Sequence, residues 1–301
     1  VTSKGDLDRQ VRDLPDEAEA ITERFWPGPL TLVMRKSGVV AERVSPGLDT
    51  VGIRMPAHKV ALALIRLAGV PVAAPSANAS GRPSPTTASH VIQDLGGRIE
   101  AVVDGGPCGV GVESTVLDIT TSPPVILRPG GCTREEIEGV LGSVVLDTGC
   151  AVDERPRSPG TKYRHYAPRA RVYVVYAGLQ GGGIHDGVVA AHLSRRATAF
   201  ARDGSKVGIL ASSEVVRASA AQAGQADPHG QPAGGRIVWL DAGSERDLPA
   251  VAARLFDNLR RFDDLGVDVI LAQAFPETGM GLAIMNRLLR ASGGRVIRDA
   301  D

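Results

Sequence analysis

The 301-residue chain carries 34 Lys and Arg against 34 Asp and Glu, with 43% hydrophobic and 23% charged residues. That length can bury one full core or two without a disulfide framework or structural metal. A formal net charge of zero excludes a chain-wide electrostatic attraction for nucleic acid or membrane and leaves only local patches.

Residues 15–26 (PDEAEAITERFW) open with Pro and acids and predict a helix. LTLVMR (30–35) and TVGIRMP (50–56) predict strands, and AHKVALALIRLAG (57–69) a helix closed by Gly69. PVAAPS (71–76) predicts a short buried strand, and 86–95 a helix stopped by Gly96 and Gly97. IEAVVDGG (99–106), STVLDIT (114–120) and VILRPG (125–130) are strand-like runs closed by turn residues. Thr133 and Glu136 form a capping box that opens a short helix to Leu141.

Residues 151–171 break the pattern with three prolines and six Lys or Arg against two acids, which predicts a linker. Two of the chain's four tyrosines fall within it, more than a plain spacer needs. Beyond it, strands over 171–177, 206–212, 236–242 and 267–275 alternate with helices over 185–201, 247–262 and 282–292, around a polar loop at 220–235. Such alternation predicts a parallel, doubly wound sheet.

Cys108, Cys132 and Cys150 give no disulfide pattern and no C-x-x-C, as expected of a reducing, cytoplasmic compartment. No apolar run is long enough to span a bilayer, and the first residues do not read as a signal peptide, so no membrane is expected. Phosphate-loop, dinucleotide and zinc-protease motifs are missing, and the six His residues show no metal-ligand spacing.

What remains is a set of small-residue turns at strand ends. Ala74-Pro75-Ser76-Ala77-Asn78-Ala79-Ser80-Gly81, then Arg82-Pro83-Ser84-Pro85-Thr86, offers hydroxyls and main-chain amides that suit a phosphate or carboxylate. It serves equally as a polar helix-capping loop. Ser114 opens one strand and Arg128 closes another, as an anion clamp or a surface turn residue. Arg54 interrupts an apolar strand, where a half-buried guanidinium wants an anionic partner, either a substrate carboxylate or an internal Asp.

FWPGPLTLV, TVGIRMP, APSANASGRPSPT, ESTVLD and ILRPGG occur in that order. The series closely resembles the YrdC/Sua5 family of threonylcarbamoyl-AMP synthases. SPGTKYRHYAP and GMGLAIMNRL resemble its longer, two-domain Sua5 type, so the resemblance covers nearly the whole chain. It implies an α/β fold: a YrdC-like twisted open sheet with helices over 1–150, a linker or lid over 151–171, and a smaller Rossmann-like Sua5 C-terminal domain over 172–301.

The resemblance also implies a reaction. L-threonine, bicarbonate and ATP, with Mg²⁺ carried by the phosphates, give L-threonylcarbamoyl-adenylate and pyrophosphate. A downstream threonylcarbamoyl transferase then modifies adenosine 37 of tRNA; tRNA binding by this chain is compatible with that chemistry and not required. By similarity Ser76 and Asn78 are the catalytic residues, facing the phosphates and the carbamate. Thr50, Ser76, Ser84, Arg128, His165 and Tyr166 line the ATP site. Arg54, Ser114 and the Ala74 main chain hold threonine. No protein metal ligand is implied. The family pattern begins upstream of Val1 with a strand, a T-[ED]-[TS]-x-x-G-L turn and a K-x-R phosphate clamp. The chain as written is therefore expected to be N-terminally truncated, poorly stable and nearly inactive until those codons are restored.

Two other function classes fit parts of the sequence. An RNA-binding module is disfavoured, because residues 1–150 carry 14 Lys or Arg against 18 acids and few aromatic platforms. A catalytically degenerate regulatory member of the family is the other.

Overall fold

The computed structural model describes residues 1–147, 166–180, 183–222 and 235–298. They fall into two compact units. One comprises Val1–Ser76, Glu113–Lys162 and Thr278–Ala283; the other comprises Ala77–Val112, Tyr163–Glu277 and Ile284–Asp301.

In the first unit α1 (Lys4–Gln10) starts at Ser3, whose side chain accepts the Asp6 amide. Its partner α2 (Glu17–Phe25) buries Ala18, Ile21 and Phe25, spaced three and four residues apart on one face. Then come β1 (Leu30–Arg35), β2 (Thr50–Ile53) and the exposed helix α3 (Lys59–Ala68). The helix α4 (Ala88–Leu95) belongs to the second unit. The first unit resumes with β3 (Thr115–Asp118), β4 (Val125–Arg128), α5 (Arg134–Leu141) and β5 (Val145–Leu146). The expected capping box at Thr133 and Glu136 is present in both its hydrogen bonds.

The first sheet has the order β2-β1-β3-β4-β5. It is mixed, not wholly parallel. The pairs β1–β2 and β3–β4 are antiparallel, while β1–β3 and β4–β5 are parallel. The reason lies in connection length. Six residues join β3 to β4, too few for the crossover a parallel pair requires, so the chain turns back on itself. Ile21, Leu30, Leu32, Met34, Leu117, Ile126 and Ile137 fill the core between this sheet and its helices.

Two expected strands are not formed. Residues 71–76 and 99–106 have no ladder partner and are exposed, Val72 at 44% and Val103 at 69%. Hydrophobicity marks a strand only where a neighbour satisfies its main chain, and neither segment has one among the described residues.

The second unit is built on β6 (Arg171–Tyr176), the hairpin β7 (Leu179–Gln180) and β8 (Gly183–Ile184), α6 (Asp186–Arg202), β9 (Val207–Ala211) and α7 (Ser213–Gln222). It continues through β10 (Ile237–Asp241), α8 (Leu248–Asp264), β11 (Val269–Gln273), α9 (Gly279–Ser292) and β12 (Val296–Arg298). Its sheet, β10-β9-β11-β6-β12, is parallel throughout, the α/β arrangement the alternation predicts. The strands β9 and β11 are buried at every position, which is why they read as unbroken apolar runs. Most of the 220–235 loop lies outside the described residues.

Candidate active site

Thr31, Ser114 and Arg128 converge at one end of the first sheet. The parallel register sets Leu30 opposite Thr115, so Thr31 and Ser114 are neighbours, and their hydroxyls lie 2.7 Å apart. Arg128, at the far end of the antiparallel β4, comes to the same place because Val116 pairs with it. Its Nε and Nη2 donate to the Ser114 carbonyl at 3.3 and 2.9 Å, and Nη2 lies 3.3 Å from Ser114 Oγ. Ser114 is 5% exposed and Arg128 9%, so Arg128 is a buried, oriented guanidinium and not a surface turn residue. A fork fixed by a main-chain carbonyl presents a constant face to a planar anion.

Gly130 makes this approach feasible. A Cβ there would lie 2.4 Å from the Glu113 oxygen, the Ser114 carbonyl carbon and the Thr115 nitrogen. Arg54 follows β2 at this same sheet end, and it is exposed where the sequence predicts half-burial. The strand stops at Ile53, so the arginine lies beyond the apolar layer. Thr50 pairs with Arg35, which puts it at the opposite end of the β1–β2 ladder from Arg54. Ala74 and Ser76 are exposed in the segment that follows α3.

The second unit holds Asn78, Ser84 and Tyr166. Asn78 Nδ2 donates to the Ala79 and Arg82 carbonyls at 2.9 and 3.3 Å, folding the loop back on itself. Its Oδ1 is buried and has no hydrogen-bond partner, an acceptor left for a donor or a cation. Ser84 is 7% exposed. The Ala167 amide donates to the Gly81 carbonyl at 2.9 Å, so the end of the 151–171 segment is stitched to this loop.

Tyr166 itself is 3% exposed and left-handed, with φ 62°. Its ring packs 5.3 Å from Phe256, with the Arg287 guanidinium 5.6 Å from its centroid. His165, Cys150 and most of the linker lie outside the described residues.

Sequence reasoning misses several residues here. Thr31 gives no signal beyond a polar residue in a strand. Asp94, on α4, has a fully buried carboxylate that takes Arg82 Nη1 at 2.5 Å and Arg260 Nη2 at 2.7 Å. Burial pushes its carboxyl up, but the hydrogen bonds and charge of Arg260, and then of Arg82, outweigh this and hold it below the usual carboxylate range. The signal was an Asp placed four residues after His90 on the inner face of a short helix. By contrast, Cys132 is buried and its thiol is pushed up to about 12 by burial, so it is no nucleophile. Among the described residues no group of three or more His, Cys, Asp or Glu could hold a metal ion. No described helix is long and apolar enough to cross a membrane.

Comparison with known proteins accounts for both parts of the chain. A family model described as telomere recombination, covering Sua5, YciO and YrdC proteins, matches residues 1–130. A second, described as threonylcarbamoyl-AMP synthase, C-terminal domain, matches residues 132–293. The threonylcarbamoyl-AMP synthase of Bacillus subtilis is 45% identical over 96% of this chain and 78% of its own length. That of Pyrococcus abyssi is 45% identical over 99% of this chain and 80% of its own. The crystal structure of P. abyssi Sua5 complexed with L-threonine superposes with a TM-score of 0.84 at 44% identity, covering 99% of this chain and 80% of that one. A variant of the same protein, with a His and a Tyr replaced by Ala, gives 0.85 at 43% identity over 99% and 79%. On these matches the chain belongs to the Sua5/YrdC family.

Proposed function

We propose that the chain is a threonylcarbamoyl-AMP synthase, and that it joins L-threonine, bicarbonate and ATP into L-threonylcarbamoyl-adenylate. The observation that carries this reading is similarity along 99% of the chain to a Sua5 protein whose crystal structure holds L-threonine. In this reading Arg54 pairs with the threonine carboxylate, and Ser114 and the Ala74 main chain complete that subsite. Thr50, Ser76, Ser84 and Arg128 bind ATP. His165 and Tyr166 act from the linker, which is divided from residues 1–150 and 172–301 as a lid. The only adjacent His–Tyr pair in this sequence is His165–Tyr166, and the solved double variant of the relative replaces one His and one Tyr.

The chemistry asks for positioning and charge neutralisation more than for a nucleophilic side chain. The threonine amine attacks bicarbonate, and loss of water leaves an N-carboxylate. A carbamate oxygen then attacks the α-phosphorus, the bond to the β-phosphate oxygen breaks, and pyrophosphate leaves. Ser76 and Asn78 orient the phosphate and carbamate oxygens, and Arg128 offsets the charge that builds on them. Mg²⁺ carried by ATP would offset the negative charge of its phosphates. With no acidic cluster among the described residues, the fitting donor in this loop is the neutral, unpartnered Asn78 Oδ1. We place the enzyme in the cytoplasm, ahead of a threonylcarbamoyl transferase that acts on adenosine 37 of tRNA.

Calorimetry and pyrophosphate release test this. Arg54→Ala is expected to abolish threonine binding and leave ATP binding intact. Ser76→Ala with Asn78→Ala is expected to lower the rate by about 10²-fold or more. Unchanged threonine affinity in the first variant, or an unchanged rate in the second, overturns the assignment.

A further inference from the structure

A single carboxylate organises the loop that runs from Asn78 to Ser84. Asp94 lies in the last turn of α4 with its side chain fully buried. Its Oδ1 accepts Arg82 Nη1 at 2.5 Å and Arg260 Nη1 at 3.2 Å. Its Oδ2 accepts Arg260 Nη2 at 2.7 Å and the Ala79 amide at 3.3 Å. Arg260, on α8 and 3% exposed, also donates from Nη2 to the Pro83 carbonyl. The contacts therefore grip the loop at Ala79, Arg82 and Pro83, directly between Asn78 and Ser84. Asn78 closes the same turn from inside, through the Ala79 and Arg82 carbonyls. Two further contacts come from α8: Asp263 accepts the Arg169 amide at 2.7 Å and lies 3.8 Å from Arg82.

The arrangement is more elaborate than loop anchoring needs. Burying the Asp94 and Arg260 charges carries a desolvation cost for each ion, and apolar residues of equal volume commonly hold a loop at least as well. What a forked guanidinium adds is direction, because two parallel hydrogen bonds fix the carboxylate plane and with it the loop amides.

We propose that Arg260, acting through Asp94, is a positioning residue for ATP, so that α8 sets the geometry of the Asn78–Ser84 loop. The idea rests on the reading of that loop as part of the ATP site. It gives the C-terminal segment a defined part in the reaction, through a helix that grips the loop by Asp94 and the Pro83 carbonyl. Arg260→Lys keeps a positive charge beside Asp94 but cannot bond both of its oxygens and Pro83 in one plane.

The test is calorimetric titration of the full chain with a non-hydrolysable ATP analogue and, separately, with L-threonine. Arg260→Lys is expected to weaken the ATP analogue by about tenfold and to leave threonine unchanged. The paired substitution Asp94→Leu with Arg260→Met removes the charges together. It is expected to keep the thermal midpoint near that of the parent while still losing ATP affinity, which an anchoring role alone would not do. Should Arg260→Lys fail to fold, the paired variant carries the test. Ser84→Ala is titrated alongside. If it leaves ATP affinity unchanged, the loop does not bind ATP and the underlying reading fails. If it weakens ATP while both Arg260 variants bind as the parent does, the reading stands and the positioning role is overturned.

Discussion

Ser114 meets Thr31 through its hydroxyl and Arg128 through its carbonyl, and Gly130 packs against the main chain on either side of it. The added methyl of Gly130→Ala has only backbone to push against. We expect it to destabilise the fold by ~2 kcal/mol, as overpacking does, and to weaken threonine binding through the displaced Ser114. Urea denaturation with calorimetry measures both, and full stability with unchanged binding would mean the loop yields freely. At this scale the sequence was partly legible. It presented Ser114 and Arg128 as strand-end polar residues, because such positions are conspicuous against apolar runs. It could not show that they touch, since 14 residues separate them and only the antiparallel ladder brings them together. Asp94 was opaque for the same reason, as its partner Arg260 lies on α8, 166 residues further along the chain.

Among the elements, α5 shows how local the readable signal is. Its capping box involves four consecutive residues and is present as the sequence predicts. Thr133→Ala is expected to cost about 1 kcal/mol, seen as a lower denaturation midpoint with an unchanged slope. The helix α4 carries a different kind of dependence. His90 is held below its ordinary value of 6.5, first by burial and then by the charge of Arg260, against the opposing pull of Asp257, Asp264 and Asp94. The unfolded chain therefore takes up a proton at a pH where the folded chain does not. The stability this gives is complete above pH 6.5 and falls as the pH drops through that value toward the lower folded one. Denaturation at pH 7.5 and pH 5 should show a smaller loss in His90→Gln than in the parent, and equal losses would assign the acid sensitivity elsewhere. Elements that depend on distant pairing were the least legible. The runs at 71–76 and 99–106 are as apolar as true strands, and composition alone cannot report the missing neighbour.

At the scale of the whole molecule, the compact units do not follow chain order. Residues 77–112 pack with the segment that begins at Tyr163, although a single family model spans residues 1–130. A fragment beginning at residue 132 would therefore leave Arg260 without Asp94. Such a fragment should be stabilised by Arg260→Met, a change that in the full chain would strand the Asp94 carboxylate and destabilise by ~3 kcal/mol. Opposite signs in two thermal melts are the expected result, and equal signs would mean the ion pair matters little. The alternation of strands and helices made the parallel sheet of the second unit readable, whereas in the first sheet the six residues between β3 and β4 leave no room for a crossover and force that pair antiparallel. One last consequence follows from Tyr166, whose ring is held between Phe256 and Arg287. Tyr166 is thereby held at a fixed point of the second unit, next to Ala167, whose amide donates to the Gly81 carbonyl at 2.9 Å. Anchoring of this kind raises the local concentration of a side chain at whatever lies within reach. It also makes the ring a fastener: Tyr166→Ala should lower the thermal midpoint of the chain, and an unchanged midpoint would mean that the ring's packing carries little.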